Sequence, residues 1–149
     1  MEIKLVNYTA DFLELSSRWL NDPEMKKLTN APVFSIKDQL DWFNTLSERK
    51  DYFIRGIQCL DVKIGACGLK NITATDAEYW GYIGEKDYWG MGIGSRILTE
   101  MENEASKFGV NSVWLNVLTT NTKAIRLYSK NGYFIESENA DIQKMRKKI

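Results

Sequence analysis

Histidine is absent from the 149 residues of this sequence. Without an imidazole there is no Cys-His or Ser-His nucleophile pair, and no metal shell of the usual Cys/His kind can be completed. Cysteine is scarce as well. Cys59 and Cys67 stand in apolar segments without CxxC spacing and read as buried reduced thiols. An excess of either charge is also missing: Lys plus Arg and Asp plus Glu each number 20, for a net charge of zero. No global field draws in nucleic acid, an anionic membrane or a polycation, so a charged ligand has to be held by a local site. Long apolar runs are lacking too. None approaches the roughly 20 residues that span a bilayer, and the opening MEIKLVNYTADFLEL has no basic region followed by an apolar core. A cytoplasmic protein without nucleic-acid or membrane partners is expected, as a monomer or homodimer.

Apolar residues make up 44% of the chain, enough to fill one core, and the length predicts one domain over residues 1–149. Residues 2–7 alternate and are β-prone. Thr9 is placed to cap a helix carrying Phe12, Leu13, Leu15, Trp19 and Leu20, which stops near Asn21-Asp22-Pro23. A polar loop is expected over 21–34. Ser35, three residues before Asp38, opens a second helix with Leu40, Phe43 and Leu46 at three-residue steps, ending near Arg49. Three β-type runs, 52–60, 63–73 and 77–84, read as an antiparallel meander. A helix marked by Ile93, Ile97, Leu98, Met101 and Ala105 then runs to Phe108, where Gly109 stops it. Val113, Leu115 and Val117 alternate on a strand over 110–118. A short helix over 122–130 ends at Asn131-Gly132, and two strands, 133–136 and 142–148, finish the chain. The order β-αα-βββ-α-β-α-ββ predicts an α/β (α+β) fold with a mixed, mostly antiparallel central sheet flanked by helices.

The richest segment is GYIGEKDYWGMGIGSRIL, in which a strand passes through a turn into alternating glycines and then a helix. Glycines let backbone amides approach a ligand, and the helix N-terminus adds partial positive charge, so the segment suits a pyrophosphate. It lacks the GxGxxG of dinucleotide folds, because Ser95 stands where the third glycine is needed, and no Gly-Lys-Ser/Thr of a P-loop follows. A tight turn with close helix packing would use the same glycines.

Trp89-Gly90-Met91-Gly92-Ile93-Gly94 resembles the Q/R-x-x-G-x-G/A signature of the GNAT (Gcn5-related) N-acetyltransferases, with Trp89 in place of Gln or Arg. NVLTTNTKAIRLYSKNGYF resembles the stretch N-x-x-A-x-x-x-Y-x-x-x-G-F/Y of the same family. The resemblance covers nearly the whole chain and implies acetyl coenzyme A as cofactor. It implies that amides from Met91 to Ser95, including Gly92, Ile93 and Gly94, hold the pyrophosphate. It also implies that Asn121, near Ala124, contacts the pantetheine or adenosine arm, and that Tyr128 protonates the departing thiolate. Backbone groups around Ile83, from Tyr82 and Gly84, would pair with the pantetheine where β-strand 77–84 bends, with Gly81 and Gly84 suited to the bend.

Amine attack on a thioester needs a neutral nitrogen, hence a proton acceptor. Glu78, eleven residues before Trp89, is the first candidate, with Asp76, Glu85 and Asp87 in reserve; a solvated surface carboxylate is the bland alternative. Asn116, on the following strand, cannot take a proton. WLNDPEM, SIKDQLDWF and IGACGLKNI resemble a branch acting on nucleotide-linked 4-amino-sugars, and WLNDPE also resembles aminoglycoside 6'-N-acetyltransferases. A small-molecule amine is therefore the expected partner. Lys26 and Lys27 could meet a phosphate, and Trp19, Trp42, Phe43, Trp80 and Tyr82 could stack on a sugar or base, with core packing as the alternative. Protein N-terminal acetylation, and an acyl-coenzyme A-binding module without catalysis, are the other readings.

Overall fold

The computed structural model describes residues 2–29 and 35–149. Its strands are β1 (Ile3–Val6), β2 (Phe53–Cys59), β3 (Val62–Lys70), β4 (Asp76–Ile83), β5 (Ser112–Leu118), β6 (Phe134–Glu138) and β7 (Ile142–Lys148), joined in one sheet of order β1-β2-β3-β4-β5-β7-β6. The helices are α1 (Ala10–Leu20), α2 (Pro23–Thr29), α3 (Ile36–Thr45), α4 (Ile93–Lys107) and α5 (Thr122–Lys130). The expected order holds, with one helix added.

That addition falls in the expected loop. Asn-Asp-Pro does end α1, but it also starts α2: the Asp22 carboxylate accepts from the amides of Glu24 and Met25, both at 3.1 Å, and Pro23 occupies the first helical position, where its missing N–H costs nothing. The rest of the expected loop, residues 30–34, lies outside the described residues. Ser35 caps α3 by accepting from the Asp38 amide at 3.1 Å, as its spacing predicts, whereas Thr9 sits at the cap position of α1 without a side-chain cap bond. The expected apolar stripe on α3 is displaced: Leu40 is exposed and Gln39 is buried, since this short helix packs a mixed face against α1 and the Tyr8 ring that precedes it.

α4 packs all five predicted apolar residues, Ile93, Ile97, Leu98, Met101 and Ala105, into the core, where they meet Ile57, Ile64 and Leu69 of the sheet. Each large side chain buried there contributes about 1.5–3 kcal/mol, enough to dock the helix despite its charged outer face. Val113, Leu115 and Val117 are likewise buried, and so are Cys59 and Cys67. Burial pushes the Cys67 thiol up to about 12, so it keeps its proton and stays unreactive.

Every adjacent pair is antiparallel except β4 with β5, and that pair is brief. Its register covers Asp76↔Ser112, Ala77↔Val113 and Glu78↔Trp114 only. Beyond Glu78 both strands run on unpaired with each other, so the sheet splays into a cleft at its centre.

Candidate active site

The cleft that opens between β4 and β5 has a volume of about 1160 Å³. Typical small-molecule pockets hold about 300–1,000 Å³, so this one has room for a long cofactor and a second substrate. Glu78, Tyr82, Ile83, every residue from Trp89 to Ser95, Asn121, Ala124 and Tyr128 line it, as does Asn116.

At the far end of β4 the Ile64 carbonyl accepts from two successive amides, Gly84 at 2.7 Å and Glu85 at 3.1 Å. This two-against-one pattern is a β-bulge, and it bends the strand away from β5. The expectation for Gly84 is corrected in one respect. Its amide is already engaged, and the Trp19 indole fills the space where a Cβ would stand, so this glycine serves the bend and not the ligand. Antiparallel bonds alternate along a strand, and Gly84 bonds to β3; counting back, the peptide groups of Tyr82 also face β3. Those of Gly81 and Ile83 therefore face the cleft. Tyr82 contributes its side chain there.

Trp89 explains its own departure from the signature. Its Nε1 donates to the Ile83 carbonyl at 2.8 Å, tying the glycine turn back to the end of β4. Of the two cleft-facing groups on Ile83, the carbonyl is thereby occupied and the N–H stays open. Replacing Trp89 by Phe keeps the ring but removes this bond. The KM for acetyl coenzyme A is expected to rise about fivefold to tenfold, equivalent to about 1–1.5 kcal/mol for one hydrogen bond, with kcat little changed. Initial-rate titration of the cofactor checks it, and an unaltered KM would dismiss the tie.

The glycines of the turn act differently from one another. Gly90 and Gly92 have φ of 76° and 77°, in the left-handed region, with no neighbour nearer than 4.0 Å to a Cβ added at either. They are required by backbone conformation. Gly94 has ordinary φ, but a Cβ there would meet Leu127 Cδ2 of α5 at 2.8 Å, so it permits a close helix crossing. Gly92 caps α4 without a side chain, which leaves the amides of the first turn open to an anion. Lys123, unmentioned in the sequence reading, lines the same end and reaches 4.0 Å from a Cβ position at Gly90; it has no ion-pair partner among the described residues. A lysine two residues after Asn121 was the available signal. Splayed strand edges, free helix amides and an unpaired cation together fit a chain-like ligand bearing a pyrophosphate.

Asn121 caps α5: its Oδ1 accepts from the Ala124 amide at 3.2 Å while Nδ2 donates to the Leu28 carbonyl at 3.3 Å. Both ends of the amide thus have structural partners, and only its remaining donor capacity is left for a ligand. Tyr128 lines the cleft, edge-on to Tyr79 with ring centroids 6.3 Å apart. Its hydroxyl has no hydrogen-bond partner among the described residues. Burial pushes this phenol up to about 12, so it is a protonated donor throughout the physiological range.

At the other end of the cleft stands Glu78, only 8% exposed, which overturns the solvated-surface alternative. Its Oε1 accepts from Asn71 Nδ2 at 2.9 Å and its Oε2 lies 3.7 Å from Lys70 Nζ. The reserve carboxylates lie off the cleft: Asp76 pairs with Arg146 at 3.1 Å, Glu85 accepts from Trp19 Nε1 at 3.0 Å, and Asp87 is exposed on a short turn. Around Glu78, Tyr8, Trp42, Tyr52, Trp80 and Tyr82 form a wall of linked rings, and Ser16 Oγ bonds to the hydroxyls of Tyr8 and Tyr82 at 2.8 and 2.9 Å. Tyr8 and Tyr52 were missed in the sequence, while Trp19 and Phe43 are not among the lining residues. Lys26 and Lys27 are not either; α2 turns Met25, Leu28 and Thr29 inward instead. The cations at this end are Arg49 and Lys70.

Comparison with known proteins accords with this geometry. The model of the acetyltransferase (GNAT) family matches residues 14–133. Acetyltransferase PseH of Campylobacter jejuni is 26% identical over 93% of this chain and 89% of its own length. The [ribosomal protein bS18]-alanine N-acetyltransferase of Escherichia coli is 30% identical, over 48% of each chain. Among solved structures, spermidine N-acetyltransferase from Vibrio cholerae, in complex with coenzyme A and spermine, superposes with a TM-score of 0.88 at 17% identity, covering 98% of this chain and 95% of that one. The chain belongs to the GNAT family of acetyltransferases, whose acetyl donor is acetyl coenzyme A.

Proposed function

We propose that residues 1–149 act as one catalytic domain that transfers an acetyl group from acetyl coenzyme A to the primary amine of a nucleotide-linked 4-amino-sugar. The observation that carries the acceptor is the aromatic wall. A pyranose face stacks on such rings. Of the carboxylates lining the cleft, Glu24 and Glu78 are each matched by a lysine, Lys86 and Lys70, and Asp38 alone has no ion-pair partner among the described residues, so the strongly acidic wall that a polycationic aminoglycoside favours is missing. The resemblance of WLNDPEM, SIKDQLDWF and IGACGLKNI supports the same branch.

In this reading the open amides of the glycine turn and of α4, with Lys123, hold the pyrophosphate, and the Gly81 and Ile83 peptide edge pairs with the pantetheine. The bound donor supplies the acetyl group as a thioester. Glu78 takes a proton from the acceptor ammonium, and the Tyr128 hydroxyl delivers a proton to the sulfur as the C–S bond breaks. Thiol release from acetyl coenzyme A, measured over a panel of a nucleoside-diphosphate-linked 4-amino-sugar, aminoglycosides, polyamines and alanyl peptides, tests the assignment. Saturable turnover of the sugar nucleotide is expected; turnover confined to the others would replace it.

A further inference from the structure

Among the described residues, two that are not glycine have positive φ, Leu60 in the β2–β3 turn and Asn71 at the end of β3. Leu60 is remote from the cleft, whereas Asn71 lines it. Its φ of 50° is the left-handed conformation that asparagine tolerates better than other side chains bearing a Cβ. This conformation ends β3 and, in the same step, brings the side-chain amide across to β4. There Nδ2 donates to Glu78 Oε1 at 2.9 Å. The residue before it, Lys70, is the cross-strand partner of Glu78 in the β3–β4 register, and its ammonium stands 3.7 Å from the second carboxylate oxygen. Both oxygens of a buried carboxylate are thus matched by adjacent residues on one strand end. Lys70 is the weaker hold, because its side chain is 42% exposed and its separation exceeds hydrogen-bond length. The amide of Asn71 is the geometric one.

We infer that Asn71 is a positioning residue: its left-handed backbone delivers an amide donor that fixes the Glu78 carboxylate in its cleft-facing orientation. The inference rests on the reading of Glu78 as proton acceptor. A bare turn-forming role would need only the backbone conformation, and glycine meets that need better than asparagine. This separates the two roles. Asn71→Gly relieves the left-handed backbone but leaves Glu78 Oε1 without its donor, so a thermal midpoint unchanged or modestly lowered is expected, with the KM for acetyl coenzyme A unchanged, while kcat/KM for the amine falls about tenfold or more. Asn71→Asp, which also tolerates the left-handed region but offers no donor when ionised, is expected to lose at least as much. Near-native kcat/KM in both variants would overturn the inference, leaving Asn71 a turn former. Glu78→Gln, assayed beside them with the same sugar nucleotide or whichever panel amine turns over, keeps the two failures apart. A slow Glu78→Gln with active Asn71 variants sinks only the positioning role. A fully active Glu78→Gln removes the proton-acceptor reading, and the inference falls with it.

Discussion

Replacement of Tyr128 by Phe is expected to lower kcat by about 10²–10⁴-fold while leaving the fold intact. The two halves of that expectation have separate physical grounds. The hydroxyl has no hydrogen-bond partner among the described residues, so its removal orphans nothing, and the ring keeps its edge-on contact with Tyr79. The rate is expected to fall because, in the proposed mechanism, the departing thiolate takes its proton from this hydroxyl as the C–S bond breaks. The sign of the pH effect follows from burial. The ordinary phenol value is 10 and burial pushes Tyr128 to about 12, so the native state retains this proton across an interval in which the unfolded chain has lost it. Stability owed to the group is complete below pH 10 and declines as pH passes toward 12. The phenylalanine variant should flatten that alkaline decline in urea titrations at successive pH values, and the wild-type kcat should show no limb from Tyr128 below pH 10. Equal kcat in the two proteins would remove Tyr128 from the chemistry.

Glu78→Gln should reduce kcat/KM for the amine by about 10²–10⁴-fold at neutral pH, again with little structural cost. The glutamine carbonyl can still accept from Asn71, and Lys70, being partly exposed, can turn to water, since a pair of that kind contributes about 0–1 kcal/mol. The loss should shrink as pH rises, because the fraction of acceptor already present as free amine grows tenfold per unit until the amine's own value is reached. A pH-independent loss would point instead to a binding role for the carboxylate, and no loss would leave deprotonation to water.

How much of this was readable beforehand depended on how local the cause was. The five apolar residues of α4, the Ser35 cap and the alternation along β5 are set by neighbours within a turn or a strand, and they hold residue by residue. The Asp-Pro of α2 was local as well, but one signal had two meanings: a stop for α1 and a cap with a first-position proline for the next helix. The roles of the glycines at 90, 92 and 94 could be placed on one turn but not told apart, because Gly94 answers to Leu127, which lies more than a whole strand away in sequence. The same holds for Tyr8 and Tyr52, which reach the aromatic wall only through the packing of α1 and the pairing of β2 on β3. Trp89 is the instructive case. A mismatch to the signature looks like a missing contact, yet the indole bonds to the Ile83 carbonyl, a partner that only the bend of β4 brings within reach.

The three-residue seam between β4 and β5 also bears on how the molecule opens. On one side lies the ladder β1 to β4, on the other β5, β7 and β6, and few main-chain bonds join them. Such a molecule has the makings of two cooperative units whose mutual separation is cheaper than the unfolding of either. A ligand lying along both free edges works as a removable eighth strand. At 100 times its dissociation constant it adds about 2.7 kcal/mol to the closed form, and that increment is felt first where the ladders part. Amide protons at Gly81 and Ile83 should therefore exchange on the clock of cofactor release, while those in the middle of β3 keep the clock of global unfolding.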